Sequence, residues 1–225
     1  MTRARRNFGD VISEGLGALE GRQLLDVGCG QGARSRALAA LGAQVVGAEP
    51  DPSAVLGARH GGGGPRYVRA SATALPFEDA SFDVVCFCDS LHHVPAIAGA
   101  LAEAHRVCRP GGSVVVLEPE ADDPGYPVFR LLDDERAVYE QAQACIDDGV
   151  RAGTLQRSST HRFATQLEVK DFDELVALMR TVDSSRRFDA DALERARAVF
   201  EEIATRTESG RALTCHARLD VLRRS

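Results

Sequence analysis

The amino-acid sequence predicts an α/β fold with a doubly wound, mostly parallel sheet. Residues 22–118 alternate between short apolar segments and helical segments, a rhythm typical of strands joined by right-handed helical crossovers. Residues 82–88 are almost continuously apolar, as expected for a strand that is covered by helices on both faces of the sheet. The composition, with 44% hydrophobic and 27% charged residues, is that of an ordinary globular protein.

Local patterns define the elements of the first half. Apolar residues at helical spacing predict an amphipathic helix over residues 8–19. Gly42 marks the end of one helix, and Pro52 suits the first turn of the next. Strands are expected at residues 22–27, 44–48, 66–69, 82–88 and 113–117, and further helices at 33–41, 52–60 and 94–107.

The alternation stops after residue 119, and the remaining pattern is largely helical. Periodicity predicts helices over residues 128–150, 171–180 and 189–205, and a loop at 158–160. Residues 211–222 alternate like a final strand that returns to the core sheet. We therefore expect a single domain, 1–225, made of an N-terminal helix and core (1–119), a helical elaboration (120–210) and the final strand (211–222).

Charge and cysteine content argue against several classes of protein. The net charge of −6 disfavours a general nucleic-acid binder. We expect no membrane span, since no apolar run reaches about 18 residues, and the N-terminus lacks the apolar segment of a signal peptide. The six cysteines show no C-x-x-C spacing, so we expect reduced thiols, no bound metal and a cytoplasmic protein.

A glycine-rich turn carries the candidate ligand site. A predicted strand ends in Gly28-x-Gly30-x-Gly32 and a helix follows, so the backbone can turn sharply and approach a ligand closely. The N–H groups at the start of that helix favour anionic or electron-rich groups. Glu49 ends the next strand, where an acidic side chain can accept both hydroxyl hydrogens of a ribose. These features predict a ligand at the carboxyl ends of the strands.

Four segments, in this order, resemble the class I S-adenosylmethionine-dependent methyltransferases. They are residues 25–32, 46–51, 70–77 with the following Phe82-Asp83, and 104–112. The likeness is greatest to the small-molecule branch, methyltransferase type 11, which includes ubiquinone and menaquinone biosynthesis enzymes. The resemblance implies a Rossmann-like methyltransferase fold and methyl transfer from S-adenosylmethionine to a small organic acceptor, with S-adenosylhomocysteine as the product.

The resemblance also implies a set of cofactor-binding residues. They are Asp26, Gly28, Gly30, Gly32, Glu49, Ser71, Ala72 and Cys88. In this set Asp26 would orient the loop, the glycines would lie under the cofactor, and Glu49 would bind the ribose diol. Ser71 and Ala72 would flank the adenine, and the Cys88 carbonyl would accept from the cofactor's amino group. The family usually has Asp at the position of Ser71, and a neutral hydroxyl is a weaker acceptor there.

The candidate catalytic residues follow the fourth and fifth predicted strands. Methyl transfer from a sulfonium mainly needs alignment and exclusion of water, and it needs a base only where the acceptor must lose a proton. His92, His93 and Glu118 are the candidates, since an unperturbed histidine pKa of about 6.5 suits proton abstraction near neutrality. A structural role remains open for each, because Leu-His-His-Val recurs in this family with different acceptors and Glu118 can cap a loop.

Three other functions stay open from the sequence alone. The chain could bind S-adenosylmethionine as an inactive partner or regulatory protein, or it could use that cofactor for chemistry other than methylation. An NAD(P)-dependent oxidoreductase is the third, with Ala33 at the last position of the G-x-G-x-x-G/A pattern. We expect residues 120–210 to form the acceptor site for a small molecule. We expect no nucleic-acid partner, and a homodimer stays open.

Overall fold

The computed structural model describes residues 7–120, 122–182 and 186–224. The start of the predicted N-terminal region, residues 1–6, lies outside these described residues. The helices are α1 Phe8–Leu16, α2 Ala33–Ala40, α3 Pro52–His60, α4 Ile97–Val107, α5 Tyr126–Leu132, α6 Arg136–Arg151, α7 Phe172–Val182 and α8 Ala190–Ile203. The strands are β1 Gln23–Val27, β2 Gln44–Glu49, β3 Arg66–Arg69, β4 Phe82–Cys88, β5 Cys108–Pro119, β6 Gln156–Val169, β7 Thr205–Arg206 and β8 Arg211–Arg223.

The strands of the described chain form one sheet in the order β3-β2-β1-β4-β5-β8-β6, and β7 pairs with β8. The first five strands pair in parallel, as each register shows. Hydrogen bonds join Gly111 N to Arg224 O and Glu120 N to His216 O, so β5 and β8 run in opposite directions. The doubly wound, mostly parallel α/β fold expected from the sequence is confirmed.

The described chain divides into two compact units. The core unit consists of residues 7–118, 140–161 and 218–224. The second unit consists of the described parts of residues 119–139 and 162–217.

The core unit is held together by apolar side chains of its sheet and of α4. Leu25 of β1 and Phe87 of β4 are fully buried, and Leu101 of α4 packs in the same cluster. Ala142 and Ile146 of α6 join this cluster as well. Burial of each large apolar side chain stabilises the fold by about 1.5–3 kcal/mol, so this cluster fixes the sheet whose strand ends carry the site.

The second unit has an apolar cluster of its own. Phe172 of α7 and Phe200 of α8 are fully buried, with ring centroids 5.7 Å apart. Val128 of α5 and Leu213 of β8 pack against them. In the described residues, none of the helices combines the length and the apolar character needed to cross a bilayer.

Two predictions for the second half are wrong. The loop expected at residues 158–160 lies inside β6. The single helix expected over residues 128–150 is two helices, interrupted at residues 133–135. The interruption carries three acidic side chains, and Arg186 forms ion pairs with two of them, Asp133 at 2.9 Å and Glu135 at 2.9 Å. Helical periodicity on both sides concealed this break because the turn is only three residues long.

Candidate functional site

The glycine turn between β1 and α2 is shaped by close packing and by open space. Gly28 has φ +72°, and a Cβ there would lie 2.6 Å from the Cβ of Ser90, so no larger residue fits. Gly30 has φ +53°, and a Cβ there would meet no atom within 4 Å. Gly32, also left-handed, is the N-cap of α2. The bare backbone at Gly30 is therefore a surface on which a ligand can lie.

Glu49 fastens this turn to the end of β2. Its Oε2 accepts a hydrogen bond from Gly30 N at 3.0 Å, and its Oε1 accepts one from Asp51 N at 3.0 Å. The Gly28 N–H also donates to the carbonyl of Ala48, at 2.8 Å. A carboxylate has about four lone-pair sites, so Glu49 retains acceptor capacity for two ligand hydroxyls. The residues present thus fit the ribose-binding role that the sequence predicts.

Asp26 connects the end of β1 to the first turn of α2. Its side chain is 1% exposed, and the Ser35 hydroxyl donates to its Oδ2 at 2.5 Å. Burial raises the pKa of Asp26 to about 6, against the lowering effects of the Ser35 hydrogen bond and the Arg34 charge. Because Ser35 belongs to α2, this hydrogen bond ties the start of that helix to the end of β1.

The end of β4 is joined to the same turn. The Ser90 hydroxyl donates to the carbonyl of Val27 at 2.7 Å. Asp89 adopts a left-handed conformation with φ +57°, and its Oδ2 pairs with Arg34 of α2 at 2.9 Å. Cys88 is buried, and a hydrogen bond with Cys86 together with burial raises the pKa of the Cys88 thiol well above its ordinary value. Its side chain is thus neutral, which suits the predicted backbone role.

Ser71 and Ala72 lie in a short turn after β3. The Ala70 N–H donates to the carbonyl of Glu49 at 3.1 Å, and the Ala74 N–H donates to that of Ser71 at 3.1 Å. The Ser71 and Thr73 hydroxyl oxygens are 2.9 Å apart. Ser71 is exposed and Ala72 is buried. This turn therefore begins beside Glu49, whose side chain also bonds to the glycine turn at Gly30.

The structure brings His92 and Glu118 together. Glu118, near the end of β5, is 6% exposed and accepts from the Leu91 N–H at 2.8 Å. Its other oxygen forms a short hydrogen bond with His92 Nδ1. Burial raises the pKa of Glu118, although the hydrogen bond with His92 opposes that shift. His93 is exposed, whereas His92 is buried.

Every predicted site residue lies in the core unit, at or just after the carboxyl end of a parallel strand. Three contributors were missed from the sequence: Ser35, Ser90 and the Arg34–Asp89 pair. A serine in a helix or turn is ordinary, and Arg34 and Asp89 are 55 positions apart. No local pattern marks such contacts, because only the assembled sheet brings them together.

Comparison with known proteins agrees with the resemblance in the sequence. The model of the family described as "Methyltransferase domain" matches residues 25–116. A Mycobacterium marinum protein named "Uncharacterized methyltransferase" is 45% identical over 101 residues, which cover 44% of this chain and 40% of that protein. The demethylmenaquinone methyltransferase of Tropheryma whipplei is 39% identical over 148 residues, covering 59% and 62%. The chain thus spans between two fifths and just over three fifths of these relatives.

The likeness in fold extends over nearly the whole chain. The crystal structure of the YcgJ protein from Bacillus subtilis superposes with a TM-score of 0.63 and 18% identity, covering 96% of this chain and 98% of that one. This superposition shows a likeness in fold alone, while the family model and the curated relatives confirm the methyltransferase resemblance that the four segments indicated.

The buried carboxyl of Asp26 is expected to make stability depend on pH. Its folded-state pKa of about 6 lies above the ordinary 3.8, so the folded state binds more protons between these values. The stability that this proton gives is present at low pH and is lost as pH rises through about 6. Asp26→Asn cannot ionise, so its unfolding free energy should gain about 3 kcal/mol on wild type between about pH 4 and pH 7.

Urea unfolding of both proteins at the two pH values measures this difference. The pKa of Asp123 is also raised, by burial, to about 6, but that carboxyl is present in both proteins and cancels. An equal difference between variant and wild type at the two pH values would contradict the assignment.

Proposed function

We propose that this chain, whose residues 25–116 match the model of the methyltransferase domain family, transfers a methyl group from S-adenosylmethionine to a small organic acceptor by in-line displacement. The observation that carries the proposal is the bare backbone of Gly30 beside the Glu49 carboxylate. When bound, the cofactor supplies a methyl group that is already activated on sulfur. We place the activity in the cytoplasm, since the cysteine spacing predicts reduced thiols, which suit a reducing compartment.

The proposed binding roles combine the contacts around the turn with the roles that the family resemblance implies for Ser71, Ala72 and Cys88. Gly30 presents backbone without a side chain, and Glu49 accepts hydrogen bonds from the two ribose hydroxyls with the acceptor capacity that Gly30 and Asp51 leave. Ala72 donates its N–H to the adenine ring, and Ser71 accepts at the edge of the ring. The Cys88 carbonyl accepts from the amino group of the methionine end, and Asp26 keeps the turn in place through Ser35.

We propose His92 as the group that takes a proton when the acceptor is an O–H, N–H or S–H group. An ionised Glu118 accepts from His92 Nδ1–H, which leaves Nε2 as the basic nitrogen. In this arrangement Glu118 positions the imidazole and does not itself take the proton. His92 is buried and bonded to Glu118, whereas His93 is exposed, so the proposal favours His92.

We propose further that residues 120–210 select the acceptor. The match to the family model ends at residue 116, so this segment lies outside the part that the chain shares with the family model. The name of the Tropheryma whipplei relative, a demethylmenaquinone methyltransferase, supports a small organic acceptor. We favour an active enzyme over an inactive partner protein, because the predicted cofactor-binding residues and a buried His–Glu pair occur in the same unit.

Removing the Glu49 carboxylate tests the cofactor assignment. Glu49→Ala deletes the acceptor for the diol and also the bond to Gly30 N. The affinity for S-adenosylhomocysteine, measured by titration calorimetry, should therefore fall by at least about 100-fold, corresponding to loss of about two charge-assisted hydrogen bonds.

Asp51→Ala is the matched control. Asp51 lies two positions away and caps α3 through Ser53 N at 2.8 Å, so its loss should cost stability but leave the affinity within about threefold. Unchanged affinity in Glu49→Ala would refute the ribose role. Failure of the wild type to bind at millimolar concentration would sink the proposed function.

The His92 proposal is tested by the pH dependence of turnover on an accepted substrate. His92→Gln should lower kcat by about 10²–10⁴-fold and remove the rise in rate through the histidine titration, because a general base contributes that much. S-adenosylhomocysteine affinity should stay within about threefold, since this role concerns the acceptor. His93→Gln is the control and should retain the wild-type profile. If the two variants behave alike, His92 is not the base.

A further inference from the structure

One face of α4 contacts the segment between β3 and β4. Gly99, Glu103 and Arg106 follow one another at spacings of four and three residues, which places them on one side of a helix. A Cβ added at Gly99 would lie 3.6 Å from the Cγ2 of Thr73, so helix and turn are in near contact. Arg106 belongs to the segment 104–112, one of the four that resemble the methyltransferases. None of the binding or catalytic roles proposed above falls on this segment.

Arg106 bonds to three points of the segment 75–79. Its Nη2 donates to the Leu75 carbonyl at 3.0 Å, and its Nη1 donates to the Phe77 carbonyl and to Asp79 Oδ1, both at 2.8 Å. A planar guanidinium holds five N–H donors in a rigid fork, so it can make such bonds in several directions at once. The ammonium group of lysine has no such fixed arrangement of donors. One side chain therefore fixes the path of five consecutive residues.

Glu103 completes this clamp. It accepts from Arg106 Nε at 2.7 Å and from Arg106 Nη2 at 2.9 Å, a bidentate pair that orients the guanidinium. The same carboxylate accepts from the Leu75 N–H at 2.9 Å. The Arg106 hydrogen bond holds the pKa of Glu103 below its ordinary value. Both backbone polar groups of Leu75 are thus bonded to α4 side chains.

The turn that carries Ser71 and Ala72 lies between two anchors. Upstream, the Ala70 N–H is bonded to the carbonyl of Glu49. Downstream, Leu75 is buried and held by the clamp. Within the turn, Ser71 bonds to Thr73 and Ala74. A segment this short has few conformations once both ends are fixed. Because ordering each residue costs about 1–2 kcal/mol, fixing the ends in advance reduces the free energy needed to order the turn.

We infer that Arg106 and Glu103 are positioning residues that hold the turn at residues 71–74 in the conformation that binds the adenine half of the cofactor. This inference rests on the proposed function. The clamp residues act through Leu75 and the turn, so their effect is on the affinity for an adenine-bearing ligand. A turn that is ordered before binding loses less entropy on binding.

Arg106→Lys tests the inference, since it keeps the charge but loses the fork. In the ligand-free protein, amide hydrogen exchange of peptides covering residues 70–76 should become at least about tenfold faster as the clamp opens locally. The dissociation constants of S-adenosylhomocysteine and of adenosine, measured by calorimetry, should both rise about tenfold. Glu103→Gln, which keeps the shape of the side chain, should give the same changes at about threefold and serves if Arg106→Lys does not fold.

Arg109→Lys is the matched control. Arg109 lies in the same sequence motif and also bonds to a carboxylate and a carbonyl, Asp83 at 2.6 Å and Ala80 at 3.2 Å. These partners lie outside residues 70–79, so exchange at 70–76 and both affinities should match wild type.

Each outcome separates the inference from the proposed function. The positioning role would be overturned if Arg106→Lys exchanged at the wild-type rate, or if it exchanged faster with unchanged affinity. In either case, binding of S-adenosylhomocysteine by the wild type would still uphold the proposed function. A wild type that binds neither S-adenosylhomocysteine nor adenosine at millimolar concentration would overturn both. Equal effects in Arg106→Lys and Arg109→Lys would show a general loss of structure and also overturn the positioning role.

Discussion

The turn from β1 into α2 is the constraint on which the rest of the site depends. Its backbone must pass close to Ser90 at Gly28 and lie bare at Gly30, and both conformations are left-handed. Three side chains fix it: Glu49 accepts from Gly30 N, Ser35 donates to Asp26 and Ser90 donates to the carbonyl of Val27. A single hydrogen bond nets only about 1 kcal/mol, so their main effect is to fix the site's geometry before a ligand arrives.

Three carboxyl groups in this unit illustrate how burial assigns different tasks to the same chemistry. Burial raises the pKa of Asp26 to about 6, although the Ser35 hydroxyl donates to it, and this carboxyl ties β1 to α2. Glu118 is buried with a backbone donor and an imidazole, which suits it to orient His92. Glu49 is half-buried and accepts from the backbone N–H groups of Gly30 and Asp51, so it keeps acceptor capacity for a ligand. An uncompensated buried charge is costly, and each buried carboxyl here has a partner.

The first half was predictable from the sequence because its signals are local. The strand at residues 82–88 was predicted with its observed bounds, since turn residues and an apolar run define it. The glycines and Glu49 were recognisable because each follows directly from a strand end. The pairing of His92 with Glu118 was not predictable, since 26 positions separate them and the sheet alone brings them together. The strand at 156–169 was missed because its polar start resembles a loop, and its partners lie near the end of the chain.

The most direct test of the cofactor site is amide hydrogen exchange of the wild-type chain with and without S-adenosylhomocysteine. If the turn after β1 and the turn after β3 together form the site, peptides covering residues 28–33 and 70–75 should exchange more slowly when the ligand is present. Peptides from the opposite edge of the parallel sheet, such as those covering residues 108–112 at the start of β5, should be unaffected. Saturating ligand with no protection at either turn, or with protection confined to other segments, would contradict the account.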